Sequence, residues 1–161
     1  MTLRGCKSAA SRSSVSASEA RLGYDLVKTH LGHLLFSIAP DNLGFYRDLM
    51  GFLGWDVIYE GDGMLGVGSG ETSLWFGPKT KDDANDYDAA GLNHIGIGAT
   101  SQADVDATAG YLTGLGIATM FETPQHRPEF SSGDGQTYYQ VMFESPDRIL
   151  FEVVYTGPEQ S

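Results

Sequence analysis

One cysteine, Cys6, is all that this chain of 161 residues carries. That excludes a disulfide framework within the monomer and leaves a reducing compartment, the cytoplasm, as the expected setting. Long apolar runs are missing too. The longest candidate, residues 31–39, is broken by Gly32, His33 and Ser37, far short of the ~20 apolar residues that a membrane-spanning helix needs. Positive charge is scarce beyond the first 28 residues. Residues 29–161 hold five Lys or Arg against nineteen Asp or Glu, a net of −14. A surface this acidic repels phosphate backbones, so neither nucleic acid nor a membrane is expected as a partner. Residues 1–28 are the reverse, net +3, and Ser/Ala-rich from Ser8 to Ser18. They hold too few apolar residues to bury and are expected to form a disordered head, with a targeting peptide as the alternative.

What is present is a hydrophobic content of 41% and an aromatic content of 11%, enough for one domain with its own core. From Thr29 the pattern becomes regular. Leu34, Phe36 and Ile38 alternate with His33, Leu35 and Ser37, the period of a two-faced strand. Pro40-Asp41-Asn42 breaks it, and Phe45, Leu49, Phe52 and Leu53 follow at helical spacing, ended by Gly51 or Gly54. Glycines then separate three short strands, 55–60, 64–68 and 73–77. After an acidic linker, 79–90, the order repeats. There is a strand at 93–99, a Ser101-Gln102-Ala103-Asp104 cap, a helix marked by Val105, Thr108, Leu112 and Leu115, and a strand at 117–122. A long loop through Pro124, His126 and Pro128 leads to strands at 137–144 and 149–155. Two copies of one βαβββ module, residues 29–78 and 91–156, make a single α+β domain over 29–156.

The repeat brings chemistry into register. His33 opens the first strand of the first module and His94 the equivalent strand of the second; Glu152 lies in the last strand between Phe151 and Val153. A carboxylate inside an apolar strand is costly to bury unless it is paired or bound to a metal. Two imidazoles and one carboxylate suit Fe, Mn, Zn or Ni and leave coordination positions free. His30, three residues from His33, is expected to face the other way. Trp75 occupies the position equivalent to Glu152 in the first module and cannot ligate, so three protein ligands are expected.

Phe45-Tyr46-Arg47-Asp48-Leu49 with Gly51-Phe52 resembles a motif of the vicinal oxygen chelate superfamily, which comprises glyoxalases, bleomycin-resistance proteins and extradiol dioxygenases. Tyr138-Tyr139-Gln140-Val141-Met142-Phe143, then Ser145-Pro146-Asp147 and Glu152, resembles its closing motif, with Arg148 where glycine is usual. The likeness covers nearly all of residues 30–155. It implies that two βαβββ modules form a cup-shaped, incomplete barrel around a divalent metal held by His33, His94 and Glu152, in a protein that often dimerises. A homodimer acting on a small-molecule substrate is therefore expected. An extradiol ring-cleaving dioxygenase is the leading reading, with Tyr138, Tyr139 or His126 as acid–base group and Trp75 and Tyr138 lining the substrate. A glyoxalase-type lyase or isomerase, a thiol transferase, and a metal-free drug-binding protein are the alternatives.

Overall fold

Strand alternation sets the architecture. In the computed structural model, which describes residues 27–160, β1 (His33–Ile38) buries Phe36 and Ile38 and leaves Leu35 60% exposed. The expected head thus lies almost wholly outside the described residues. Everything below concerns the compact unit Leu31–Ser161. A short 3-10 turn, Pro40–Asn42, leads into α1 (Leu43–Phe52), which buries Tyr46, Leu49 and Met50. Gly54, at φ +79°, is the residue that ends this helix, since the left-handed conformation there costs glycine little.

Strands β2 (Asp56–Gly61), β3 (Met64–Ser69) and β4 (Thr72–Pro78) complete a sheet in the order β1-β4-β3-β2, with β1 parallel to β4. The second module repeats it as β5 (Ile95–Gly98), α2 (Gln102–Gly114), β6 (Thr119–His126), β7 (Gln136–Glu144) and β8 (Leu150–Pro158), in the order β5-β8-β7-β6. The Ser101 hydroxyl accepts from Asp104 N–H, the cap expected from the sequence. Both sheets are open, with β1 and β2 as the edges of one and β5 and β6 as the edges of the other. No described helix is long and apolar enough to cross a membrane.

One core serves both modules. Phe36 stacks on Phe76 and approaches Phe151; Tyr46 stacks on Phe76 at 4.4 Å, and Phe143 stacks on Phe151. Each such ring contributes roughly 1.5–3 kcal/mol by leaving water. The two sequence motifs meet here. The Tyr46 hydroxyl donates to Asp147 (2.8 Å) and lies 3.0 Å from the Ser145 hydroxyl. Asp147 also accepts from Ala39 N–H at 2.7 Å and from the Asn42 amide at 2.9 Å.

The main departure from the sequence reading is β6, which runs to His126 where a loop was expected. Phe121 and Glu122 adopt φ +55° and +59° and interrupt the ladder; Thr123 Oγ1 fills the gap, accepting from Met142 N–H and donating to the Met120 carbonyl. Pairing then resumes at Gln125↔Gln140 and His126↔Tyr139.

Candidate functional site

Register decides which side chains share a face. In the second sheet Gly96 pairs with Glu152, and Glu152 with Met142. Side chains of Leu150, Glu152 and Val154 therefore stand with Tyr138, Gln140 and Met142 on the face away from α2. Glu152 is 3% exposed. Glycine at 96 makes room for it, because a Cβ there would lie 3.1 Å from Oε2. Its two oxygens are divided between two neighbours: Oε1 accepts from the Tyr138 hydroxyl at 2.9 Å, and Oε2 lies 3.4 Å from His94 Nε2. Burial and the bond to Glu152 push the Tyr138 phenol up to about 12, so Tyr138 holds its proton at neutral pH.

His94 is held from behind by a residue that the sequence reading did not single out. Asn93 Nδ2 donates to the Tyr87 carbonyl at 2.7 Å, which turns Asn93 Oδ1 toward His94 Nδ1 at 2.8 Å. An amide oxygen only accepts, so Nδ1 carries a proton and Nε2 is the ring nitrogen turned toward Glu152. Tyr87 belongs to the acidic linker. Its ring packs on Met142 and Leu150, and its hydroxyl donates to Glu144. A linker read as merely polar is thus the support for an imidazole.

The first sheet brings a different face. His33 pairs with Ser73 and Leu35 with Trp75 on the side away from α1. Beside His94 lies a cavity of about 220 Å³ lined by Leu35, Ser37, Leu92 and Leu150. Leu35, Phe36 and Ser37 of β1 line it, whereas His33 lies exposed at the strand's start. Among the described residues of one chain no three His, Cys, Asp or Glu stand close enough to hold a metal. His94 and Glu152 are together; His33 is not with them. A larger hollow of about 510 Å³ between the linker and the Pro146–Arg148 turn contains none of the candidate ligands.

Tyr139 and His126 stand on the other side of the second sheet. The Tyr139 hydroxyl donates to Asp106 of α2, and the His126 ring lies 4.6 Å from the Tyr139 ring and bonds Thr137. Of two adjacent tyrosines, the pleat sends Tyr138 to Glu152 and Tyr139 to the helix. His126 follows Tyr139 because the bulge carries β6 through it.

No family model matches this chain. It is 39% identical over 64 residues to the uncharacterized protein YqjT of Bacillus subtilis; the match spans 40% of this chain and 46% of that protein. Among solved structures, a candidate glyoxalase from Bacillus halodurans superposes with a TM-score of 0.64 at 25% identity, over 78% of this chain and 94% of that one. A glyoxalase/bleomycin resistance protein from Albidiferax ferrireducens gives 0.60 at 17% identity, over 78% and 98%. A variant of the fosfomycin resistance protein FosX from Listeria monocytogenes, complexed with Mn(II) and a dihydroxypropylphosphonic acid, gives 0.57 at 17% identity, over 80% and 90%.

Proposed function

Since the chain is by its fold a member of the vicinal oxygen chelate superfamily, we propose that it is a divalent-metal enzyme acting on a small molecule with two adjacent oxygens. The observation that carries this reading is the buried Glu152 carboxylate, which has an imidazole nitrogen at 3.4 Å and a glycine cradle beneath it. A buried carboxylate without a cation is unfavourable, and a divalent ion of Fe, Mn, Zn or Ni is the partner that this donor set suits. His94, through Nε2, and Glu152 would hold it. FosX, bound to Mn(II) and a vicinal diol, is a precedent among proteins of this fold.

Such an ion, when bound, supplies the positive charge that draws two neighbouring substrate oxygens together and acidifies them. The chain does the rest. Asn93 fixes the His94 tautomer. Tyr138, neutral and beside Glu152, donates a hydrogen bond and can carry a proton to or from an oxygen at the site. The about 220 Å³ cavity next to His94 offers room for a small molecule beside the imidazole.

The third ligand is His33 of a second copy. The described residues of one chain do not gather three ligands; both sheets end in edge strands paired on one side only, and Leu35 and Leu92, beside the cavity at His94, are each more than half exposed. Unpaired edges and exposed apolar side chains favour association. Of the three acid–base candidates for ring cleavage, His126 and Tyr139 face the other way and Tyr138 alone stands beside Glu152; the solved structures of this fold support chemistry of the glyoxalase or fosfomycin-enzyme kind. The single cysteine favours a cytoplasmic setting, and the acidic body disfavours nucleic acid.

The test is metal content in mixed dimers. Protein purified without chelator should hold close to one ion per chain, and His33→Ala, His94→Ala and Glu152→Ala should each abolish it. Mixed and reassembled His33→Ala and Glu152→Ala chains should recover up to about half an ion per heterodimer chain, because one cross-chain site is then intact. No recovery refutes the shared site, and full metal retention by Glu152→Ala refutes the centre itself.

A further inference from the structure

The first sheet carries a flat aromatic shelf. A Cβ at Gly66 would stand 2.9 Å from Cζ3 and 3.0 Å from Cε3 and Cη2 of Trp75. Three consecutive ring carbons at near-equal distance mean that the indole lies face down on β3. Trp75 Nε1–H donates to the Ser73 hydroxyl at 3.1 Å, which fixes the ring's rotation in that plane. Tyr59 lies beside it, ring centre to ring centre 5.8 Å and tilted by 34°. A register shift between Val57 and Tyr59 turns Ile58 onto the same side, over Gly68, where a Cβ would meet it at 3.2 Å. Glycines at 66 and 68 thus act as the floor on which large side chains are laid down. Ile58 and Tyr59 are 55% and 41% exposed.

This shelf shares a face with His33 and Leu35, and its four strands contain no Lys or Arg. It offers a plane and nothing to hold an anion. We infer that the ligand is a planar aromatic group without negative charge that stacks on the outer face of Trp75, and that Gly66 is the specificity-determining position because only a residue without Cβ lets the indole lie flat. This rests on the reading of the protein as an enzyme for a small substrate, and names the substrate's class.

The test uses metal-free full-length protein in chelator, so its result does not depend on the ion. The probe is 2-naphthylmethanol, compared with its fully saturated decahydro counterpart, and the readout is the pair of tryptophan indole N–H signals by 15N NMR. Only Trp55 and Trp75 contribute, and Trp75→Leu identifies which signal is which. The naphthyl probe should shift the Trp75 signal saturably and leave Trp55 unmoved, with the saturated compound binding at least tenfold more weakly. Gly66→Ala, which must lift the ring, should weaken the naphthyl probe at least tenfold. If that variant does not fold, Trp75→Leu, which lacks the reporting indole and is therefore measured by equilibrium dialysis, should reduce the aromatic compound to the affinity of the saturated one. Equal affinities, a shift of Trp55 instead, or no shift would overturn the inference. So would a Trp75 signal that moves with protein concentration alone, which would mean that a second copy covers the shelf. Loss of the shelf with metal binding intact, or the reverse, tells the two proposals apart.

Discussion

Replacing Asn93 by alanine is the most direct probe of the site, because its side chain bonds His94 and the Tyr87 carbonyl and so joins the imidazole to the linker. In the wild type its amide is clamped by the Tyr87 carbonyl at 2.7 Å and presents Oδ1 to His94 Nδ1 at 2.8 Å. Without that acceptor the imidazole loses both its orientation and its fixed tautomer. Nδ1 and Nε2 then compete for the proton, and a fraction of the rings presents N–H, not a lone pair, toward Glu152. Loss of such a supporting bond lowers metal affinity by about 10- to 100-fold, or roughly 1.4–2.7 kcal/mol. His94 is 40% exposed at its side chain, so water partly replaces the lost acceptor, and the lower half of that range is expected. The assay is competition for Mn(II) or Zn(II) against a chromophoric chelator, with the thermal midpoint of the chelated protein recorded alongside. Asn93→Asp should retain or exceed wild-type affinity, since a carboxylate accepts the same hydrogen bond more strongly. Unchanged affinity in Asn93→Ala, or equal loss in Asn93→Asp, would refute the reasoning.

Two further outcomes concern the joint between the modules. Asp147→Ala removes the acceptor of Ala39 N–H, Asn42 and Tyr46 together. It should destabilise by about 3 kcal/mol, lowering the thermal midpoint by about 10 °C, whereas Arg148→Ala on the adjacent turn should change it little. Tyr46 is fully buried, and burial pushes its phenol well above the ordinary tyrosine range, with Asp147 adding to the rise. The folded chain keeps this proton where the unfolded chain releases it, near pH 10. Its contribution to stability is therefore intact below pH 10 and falls above it, by up to about 1.4 kcal/mol per pH unit. Tyr46→Phe should be less stable at pH 8 yet show a shallower alkaline decline in denaturant titrations. Parallel slopes would show that Tyr46 is not the group responsible.

Much of this was legible in residue order because period and duplication are local signals. The alternation of Leu34, Phe36 and Ile38 with Leu35 and Ser37 sets the first strand, and the matching histidines made the two modules visible. What escaped depended on contacts across the chain. Tyr138 and Tyr139 are neighbours with the same chemistry, and only the register Tyr138↔Thr156 and Tyr139↔Tyr155 sends the first to Glu152 and the second to Asp106. His126 reads as a loop residue because Pro124 precedes it; the ladder resumes after the bulge at Phe121–Thr123 and turns it toward Tyr139. Asn93 carries no motif at all. Its role arises when the acidic linker folds back and Tyr87 packs on Met142 and Leu150, a consequence of burying one aromatic in a segment otherwise rich in charge.

The separation of His33 from the other two candidate ligands follows from the same logic. Phe36 and Ile38 must face the core that both modules share, which fixes the facing of β1 by its pleat and leaves His33, Leu35 and Ser37 on the outer side. Asp147 binds Ala39 N–H and Asn42 just past the strand's end, so the position of β1 along its own axis is fixed as well. Together these bring Leu35 and Ser37 to the cavity beside His94 and leave His33 at the opposite end of the strand. Moving His33 inward would require either a one-residue slip, which would turn Phe36 out of the core, or a two-residue slip, which would break the Asp147 bonds. Each change costs several kcal/mol, comparable with the whole stability of a domain this size. A single chain therefore cannot bring His33 to His94 and Glu152 by adjusting β1, which is why the proposed centre takes its third ligand from the exposed His33 of a second chain.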